Sequence, residues 1–255
     1  MRMITNKLVY NLLNRTLIST SIRKLKKSAG IKTKKIQYDR YYGEKAKNYL
    51  KDRTHQGKWQ KEQLIIQELL SKEPDGITVL DVPLGTGRFV DYYLKKNMTV
   101  YGLDISKDML DAAKYILGSS YDKCDIKIGS ADCLPYDDNQ FDLIVSCRFF
   151  TILSLDMARK VLAEFQRVSK SKAYINIKFK KDTAINNSRW KRWKDSVIYL
   201  AGGTPGWVKK KNMKEYISEK ELRDTFENFG FKIEDKLTIE EKIDSEYSFF
   251  ILEKK

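Results

Sequence analysis

Histidine and cysteine, two residues that often ligate metals, are scarce in this chain of 255 residues. It has one histidine, His55, and three cysteines, Cys124, Cys133 and Cys147. A structural zinc site needs four such ligands at short spacings, so we exclude a His/Cys zinc cluster and expect no metal. An odd number of cysteines is typical of free thiols in a reducing compartment, which predicts a cytoplasmic protein.

Long apolar runs are missing as well. No stretch approaches the roughly 20 apolar residues that a membrane-spanning helix needs. Leu12 and Leu13 lie among Asn11, Asn14 and Arg15, so we also expect no secretory signal. With 42% apolar residues and only four prolines, the chain is long enough to bury one substantial core.

Positive charge is concentrated at the start of the chain. Residues 1–40 hold eleven Lys or Arg and one acid, Asp39, so they carry +10 of the total net charge of +15. We predict a basic N-terminal helical arm over residues 1–35, followed by one domain over residues 36–255. The arm suits RNA, a phosphorylated acceptor or an anionic membrane surface, and the last would place the protein at the inner membrane face. The alternative is a solvated leader that only aids solubility.

From residue 77 onward, predicted strands and helices alternate. This order is typical of a mostly parallel sheet with helices on both faces. We predict strands near 77–82, 99–104, 124–129, 141–147, 172–180, 231–238 and 247–253. We predict helices near 3–27, 37–53, 58–70, 87–96, 106–117, 155–169 and 218–229. The last two strands are joined by a short loop and are predicted to form an antiparallel hairpin at the sheet edge.

An aromatic insertion at about residues 181–216 interrupts the alternation. It contains three of the four tryptophans, Trp190, Trp193 and Trp207. Because it lies before the last helix, we interpret it as a lid or an acceptor pocket. The alternative is a small satellite core in which the tryptophans only pack.

The stretch from Val79 to Phe89 predicts a buried strand that runs through a glycine turn into a helix. Gly85 and Gly87 allow close approach of a ligand to the backbone, and the free N–H groups of the helix start favour anionic groups. Asp104 ends the next strand, seventeen residues after Gly87, where its carboxylate is placed to bind the ribose of a nucleoside. Asp132 follows the third strand and is placed to accept from an adenine amino group, and Cys147 follows the fourth.

Four blocks in this order resemble the class I S-adenosylmethionine-dependent methyltransferases. They begin at Leu80, Gly102, Gly129 and Phe141, and the resemblance extends from about Tyr38 to the C-terminus. Pro83 departs from the family, which usually has glycine there; we expect a shifted turn and not a lost site. An NAD enzyme would need a third glycine where Val90 stands.

The resemblance implies an α/β fold, a Rossmann-like three-layer sandwich whose mostly parallel seven-stranded sheet has an antiparallel C-terminal strand. It implies S-adenosylmethionine as cofactor and S-adenosylhomocysteine as product. The implied cofactor-binding residues are Tyr38, Tyr42, Arg53, Asp81, Pro83, Gly85, Gly87, Asp104, Ile105, Met109, Ala131, Asp132, Cys133 and Cys147. Candidates for a catalytic role are His55, as a base for a hydroxyl acceptor, and Arg148.

The methyl acceptor is less constrained by the sequence. The Asn/Asp-Pro-Pro-aromatic block of base amino-methylation and the Pro-Cys of pyrimidine methylation are both absent after the fourth strand, which reads Ser146-Cys147-Arg148-Phe149. We therefore expect a small-molecule or glycan/lipid-linked acceptor. Two alternatives stay open: an RNA methyltransferase that uses the basic arm, and a non-catalytic binding module with the same fold.

Overall fold

The structure, a computed structural model, describes residues 48–181 and 217–255. Within these ranges one seven-stranded sheet has the strand order β3-β2-β1-β4-β5-β7-β6. The first five strands are parallel, and β7 runs antiparallel between β5 and β6. The strands are β1 Thr78–Asp81, β2 Thr99–Asp104, β3 Asp125–Ile128, β4 Phe141–Ser146, β5 Ser169–Lys180, β6 Phe231–Glu241 and β7 Ser245–Lys254.

Five described α-helices cover the two faces of this sheet. They are α1 Gly57–Lys72, α2 Val90–Lys95, α3 Lys107–Leu117, α4 Leu155–Val168 and α5 Glu219–Asn228. Two short 3-10 helices, Gly118–Lys123 and Phe150–Ile152, complete the described connections.

The alternation of side chains along each strand builds two apolar layers. Val79 faces the layer that contains residues of α1, α2 and α3, whereas its neighbour Leu80 faces the layer that contains residues of α4 and α5. Successive strand residues point to opposite faces, so strands buried on both sides are almost continuously apolar. The result is the predicted three-layer sandwich with a mostly parallel sheet.

Serine caps start three of the helices near the carboxyl edge of the sheet. The hydroxyls of Ser106 and Ser154 accept from the backbone N–H three residues further along, and Ser218 forms a capping box with Glu221. Such caps satisfy N–H groups that have no partner inside the helix. They fix where α3, α4 and α5 begin relative to the strand ends.

One sequence prediction about helices was wrong. Residues 48–53, predicted as the end of a helix over 37–53, form turns, because Arg53 N–H and Thr54 N–H both donate to the Leu50 carbonyl and no regular run of helical hydrogen bonds follows. The predicted helix over 3–27 and nearly all of the aromatic insertion lie outside the described residues.

The glycine turn supports a test of packing. Gly87 has φ +72°, and a Cβ there would lie 2.4 Å from Leu117 Cδ1. We expect Gly87→Ala to lower the free energy of unfolding by about 2 kcal/mol, since a left-handed alanine costs about 1–2 kcal/mol and Leu117 must also move. Urea unfolding measures this change.

Gly76→Ala is the matched control for this substitution. Gly76 also has a positive φ, +78°, but nothing lies within 4 Å of its added Cβ. The free energy of unfolding of Gly76→Ala should fall by about 1 kcal/mol, the cost of a left-handed backbone at alanine. Equal losses in the two variants would show that the contact with Leu117 contributes nothing.

Candidate functional site

The turn after β1 is held between its two neighbouring strands. Val82 N–H donates to the Val145 carbonyl at 3.0 Å, and Leu84 N–H donates to the Leu103 carbonyl at 2.9 Å. The peptide bond before Pro83 is cis. Pro83 is therefore accommodated while the turn still lies at the carboxyl edge of the sheet, between the ends of β2 and β4.

The two glycines of the turn have different surroundings. Gly85 has φ +60°, and a Cβ there would meet only Met109 Cε, at an ordinary 3.6 Å. Gly87 is buried, and the space beside it is filled by Leu117. Gly85 thus leaves open space that a ligand can use, whereas Gly87 serves the packing of the turn on α3.

Asp104 joins the end of β2 to this turn. Its Oδ2 accepts from Gly85 N–H at 2.9 Å, although the residues are nineteen positions apart, and its Oδ1 accepts from Ser106 N–H at 2.8 Å. Burial raises the pKa of Asp104, and the backbone N–H groups of Ser106, Gly85 and Ile105 partly oppose that rise. A carboxylate offers about four lone-pair sites, so these backbone donors do not use up its capacity to accept from a sugar.

Exposed apolar side chains flank Asp104. Ile105 follows Asp104 and is 47% exposed, and Ile128, which pairs with Asp104 at the end of β3, is 46% exposed. Met109 is buried and packs below the turn. The two isoleucines offer apolar surface that a flat aromatic ring can cover, next to a carboxylate that can hold a sugar.

Asp81 lies beneath the turn and is closed off from solvent. Tyr93 Oη donates to Asp81 Oδ2 at 3.2 Å. Burial raises the pKa of Asp81 well above its ordinary value, the bond from Tyr93 lowers it, and nearby Asp104 raises it further. Burial therefore disfavours the charged form of the Asp81 carboxyl.

The three residues after β3 that were predicted to bind the cofactor differ in how far they are buried. Ala131 is buried in the apolar layer of α4 and α5, while Cys133 is exposed. Asp132 is half-buried and accepts a hydrogen bond from the Ser130 hydroxyl. Their roles toward an adenine ring stay predictions.

The residues predicted before β1 are not joined to the turn by any contact in the described part of the chain. His55 is exposed, and its Nδ1 lies 3.5 Å from the neighbouring Thr54 hydroxyl. The Arg53 guanidinium lies 4.6 Å from the centre of the Tyr49 ring. Tyr38 and Tyr42 lie outside the described residues.

A buried glutamate gathers side chains from four segments. Glu62 on α1 is completely buried, and its carboxylate accepts from Arg88 Nη1 at 2.7 Å, from Arg148 Nε at 2.8 and 2.9 Å, and from Tyr247 Oη at 2.8 Å. We call Trp59, Glu62, Arg88, Arg148 and Tyr247 the Glu62 cluster. It brings Arg148, a predicted catalytic residue, to the region just beyond the glycine turn.

The indole ring of Trp59 contacts both arginines. The guanidinium carbon of Arg88 lies 3.6 Å from the ring centre, and that of Arg148 lies 5.0 Å from it. Arg88 also donates to the Trp59 carbonyl and, through Nε, to Gln63 Oε1 at 2.6 Å. Stacking on an aromatic ring and pairing with a carboxylate are both interactions that suit a planar guanidinium.

Cys147 and Asn176 border the Glu62 cluster. The Asn176 amide donates to Cys147 Sγ at 3.1 Å, and its Oδ1 accepts from Arg148 N–H at 2.6 Å. Burial raises the pKa of the Cys147 thiol far above its ordinary value, and the Glu62 charge raises it further. The thiol is therefore neutral at physiological pH and cannot act as a thiolate nucleophile.

Sequence reasoning missed Trp59, Glu62, Arg88, Asn176 and Tyr247. One signal was available, because Trp59, Glu62, Ile66, Leu69 and Leu70 are spaced by three or four residues and form the buried face of α1. A glutamate on such a face requires partners. Its partners lie 26, 86 and 185 positions away, so the sequence does not identify them.

Residues 48–181 and 217–255 contain neither a metal-ligand cluster nor a membrane-spanning helix. In these ranges no three His, Cys, Asp or Glu side chains form a group that could hold a metal ion. None of the helices described has both the length and the apolar character needed to cross a membrane.

Comparisons with known proteins show what the central part of this chain is similar to. A family model described as a methyltransferase domain matches residues 79–172. A demethylmenaquinone methyltransferase from Renibacterium salmoninarum is 35% identical over 95 residues, which cover 37% of this chain and 38% of that protein. The match thus spans about two fifths of the curated relative.

Solved structures resemble this chain in fold over more than residues 79–172. A methyltransferase from Aquifex aeolicus that depends on S-adenosylmethionine is 21% identical, with a TM-score of 0.54 over 82% of this chain and 98% of that one. A TehB-like methyltransferase from Corynebacterium glutamicum is 17% identical, with the same TM-score and the same coverage.

The Glu62 cluster yields a prediction about stability. Glu62→Gln leaves the charges of Arg88 and Arg148 without their carboxylate in a largely buried place. We expect the free energy of unfolding to fall by about 3 kcal/mol, the lower end for breaking a buried pair, because the Arg148 side chain keeps 17% exposure. Chemical denaturation measures the change.

Glu68→Gln on the same helix is the control. Glu68 pairs with Lys72 at 2.8 Å, and both side chains are more than half exposed. This substitution should change stability by about 0.5 kcal/mol or less. A loss for Glu62→Gln no larger than that for Glu68→Gln would mean that the cluster does not fasten α1 to the sheet.

Proposed function

Since this chain has the fold and the central sequence blocks of the class I S-adenosylmethionine-dependent methyltransferases, we propose that it transfers a methyl group to a small-molecule or glycan/lipid-linked acceptor. The observation that carries the proposal is the position of Asp104. Its carboxylate ends β2 and binds Gly85 N–H of the glycine turn. A ribose bound by Asp104 would therefore have its 5′ side directed toward a stretch of backbone without a side chain.

The residues present fit such a cofactor. Asp104 keeps lone pairs for the two ribose hydroxyls, and Ile105 and Ile128 offer apolar surface for the adenine ring. Gly85 leaves room for the amino-acid part, as its absent Cβ would meet only Met109. Asp132 would accept from the adenine amino group.

The chemistry of this transfer needs little from the protein beyond alignment. The cofactor supplies an activated methyl group, and the acceptor attacks it in line. Holding both reactants in attack geometry is worth roughly 7–11 kcal/mol. The neutral Cys147 thiol takes no covalent part in this reaction. The proposal therefore assigns the protein binding, orientation and exclusion of water.

Two observations support the acceptor class. The blocks that accompany methylation of nucleobases are absent after β4, where the sequence reads Ser146-Cys147-Arg148-Phe149. The relative from Renibacterium salmoninarum is named for demethylmenaquinone, which is a small molecule. That quinone itself is not carried over, because the match spans 38% of the relative.

Calorimetric titration with S-adenosylmethionine and with S-adenosylhomocysteine tests the cofactor. We expect both to bind the wild type, and Asp104→Ala to bind about tenfold or more weakly, because two hydrogen bonds to a charged group are lost. Asp111→Ala is the control, since Asp111 is exposed on α3 and pairs with Lys107 at 2.6 Å.

Each outcome of this titration has one meaning. Unchanged affinity in a folded Asp104→Ala variant would show that the ribose lies elsewhere. Failure of the wild type to bind either compound would favour the second of the two alternatives, a non-catalytic module. Circular dichroism of each variant verifies the fold, since Asp104 also anchors the turn.

The charge of residues 1–40 favours a second candidate, an RNA methyltransferase. Their net +10 would bind phosphates and release counterions, so RNA affinity should fall steeply with salt. Filter binding at several salt concentrations, with and without residues 1–35, tests this. Loss of a salt-dependent RNA affinity on deletion supports the RNA candidate.

A parallel assay addresses the membrane surface. Sedimentation with anionic vesicles that depends on residues 1–35 would support a peripheral position at the membrane. Binding to neither RNA nor vesicles leaves the arm as a solvated leader. The cytoplasmic location is likewise part of this proposal.

A further inference from the structure

Arg148 is fixed in an unusual way just beyond the end of β4. Its backbone adopts φ +59°, a left-handed conformation that costs a non-glycine residue about 1–2 kcal/mol. Two contacts hold it there: Asn176 Oδ1 accepts from its N–H, and Glu62 accepts from its Nε. The guanidinium is therefore held on its Nε side before any ligand arrives.

The other edge of the same guanidinium lacks such partners. Among residues 48–181 and 217–255, Arg148 Nη1 and Nη2 donate no hydrogen bond, and the side chain is 17% exposed. Arg88 differs, because its Nε, Nη1 and Nη2 donate to Gln63, Glu62 and the Trp59 carbonyl. The four N–H groups on Nη1 and Nη2 of Arg148 form a planar fork that suits a carboxylate or a phosphate.

The local charge also suits an anion. Glu62 contributes one negative charge against the two positive charges of Arg88 and Arg148, so this group carries a net charge of +1. Burial alone would lower the pKa of Arg148, but its bond to Glu62 raises it, so the guanidinium stays charged. A buried group with an unbalanced positive charge favours an anionic ligand.

We propose that Arg148 binds an anionic group of the methyl acceptor, a carboxylate or a phosphate, through Nη1 and Nη2. This inference rests on the proposed function, because it names the class of acceptor at the same site. Glu62 and Asn176 are positioning residues that aim the fork. The enzyme would thus select acceptors that carry a negative group near the methylated atom.

The strand order separates this role from cofactor binding. Asp104 ends β2, Arg148 follows β4, and β1 lies between them, so the two side chains start from strands two spacings, or about 10 Å, apart. A nucleoside held by Asp104 over the β1 turn would extend toward β4. The Arg148 fork would then lie on the side of the site from which an acceptor could approach.

Binding of simple anions tests the fork. Sodium acetate and inorganic phosphate are titrated at constant ionic strength into protein saturated with S-adenosylhomocysteine, and binding is measured from the rise in melting temperature. We expect the wild type to bind at least one of them in roughly the millimolar range and Arg148→Gln to bind it about tenfold or more weakly. Arg148→Lys keeps the charge but not the planar fork, so its affinity for the anion should lie between those of the wild type and Arg148→Gln.

Arg223→Gln is the matched control for loss of one arginine charge. Arg223 lies on α5, where it pairs with Glu219 at 2.8 Å. This variant should respond to the anions like the wild type. Response to acetate alone assigns a carboxylate acceptor, and response to phosphate alone assigns a phosphorylated one. An equal response in the wild type and Arg148→Gln, or no response in the wild type, would overturn the inference.

A second titration keeps this inference distinct from the proposed function. S-adenosylhomocysteine and 5′-methylthioadenosine differ in the amino-acid tail, which only the former carries. We expect Arg148→Gln to bind both as the wild type does. If the variant loses affinity for S-adenosylhomocysteine alone, the fork binds the cofactor carboxylate and the acceptor inference is wrong. If the wild type binds neither compound, the proposed function itself is wrong.

Discussion

The carboxylate of Glu62 connects parts of the chain that no other described contact brings to one point. Its oxygens accept from Arg88 after the glycine turn, from Arg148 after β4 and from Tyr247 on β7. Burying this charge is unfavourable unless every lone pair finds a donor, so the four segments must meet together or not at all. This requirement helps to fix the position of α1 over the sheet and the direction of the Arg148 fork.

Asp104 also joins separate segments, on the other side of β1. Its oxygens hold Gly85 of the turn and Ser106 at the start of α3, so the shape of the turn does not depend on a ligand. A site that is formed before binding loses less conformational freedom when the ligand arrives. The two carboxylates differ in their donors: Glu62 accepts from three side chains, Arg88, Arg148 and Tyr247, whereas Asp104 accepts from backbone N–H groups.

Much of the fold could be predicted because its signals are local. The strand from 99 to 104 was predicted at its observed bounds, and α1, α3, α4 and α5 were each placed to within two residues. The C-terminal hairpin followed from two apolar runs separated by a short loop. The prediction failed at residues 48–53, which form turns instead of a helix. Sequence reasoning also missed that the buried face of α1 includes the charged side chain of Glu62.

By itself, the sequence determined the alternation of strands and helices, the glycine turn and the acid at the end of β2, since each depends on residues close along the chain. Only the tertiary structure decided that Gly85 and not Gly87 leaves room for a ligand, and that Glu62 joins Arg88, Arg148 and Tyr247. The reason is physical: these contacts close loops of 26, 86 and 185 residues, and their energies depend on burial that no local window of sequence contains.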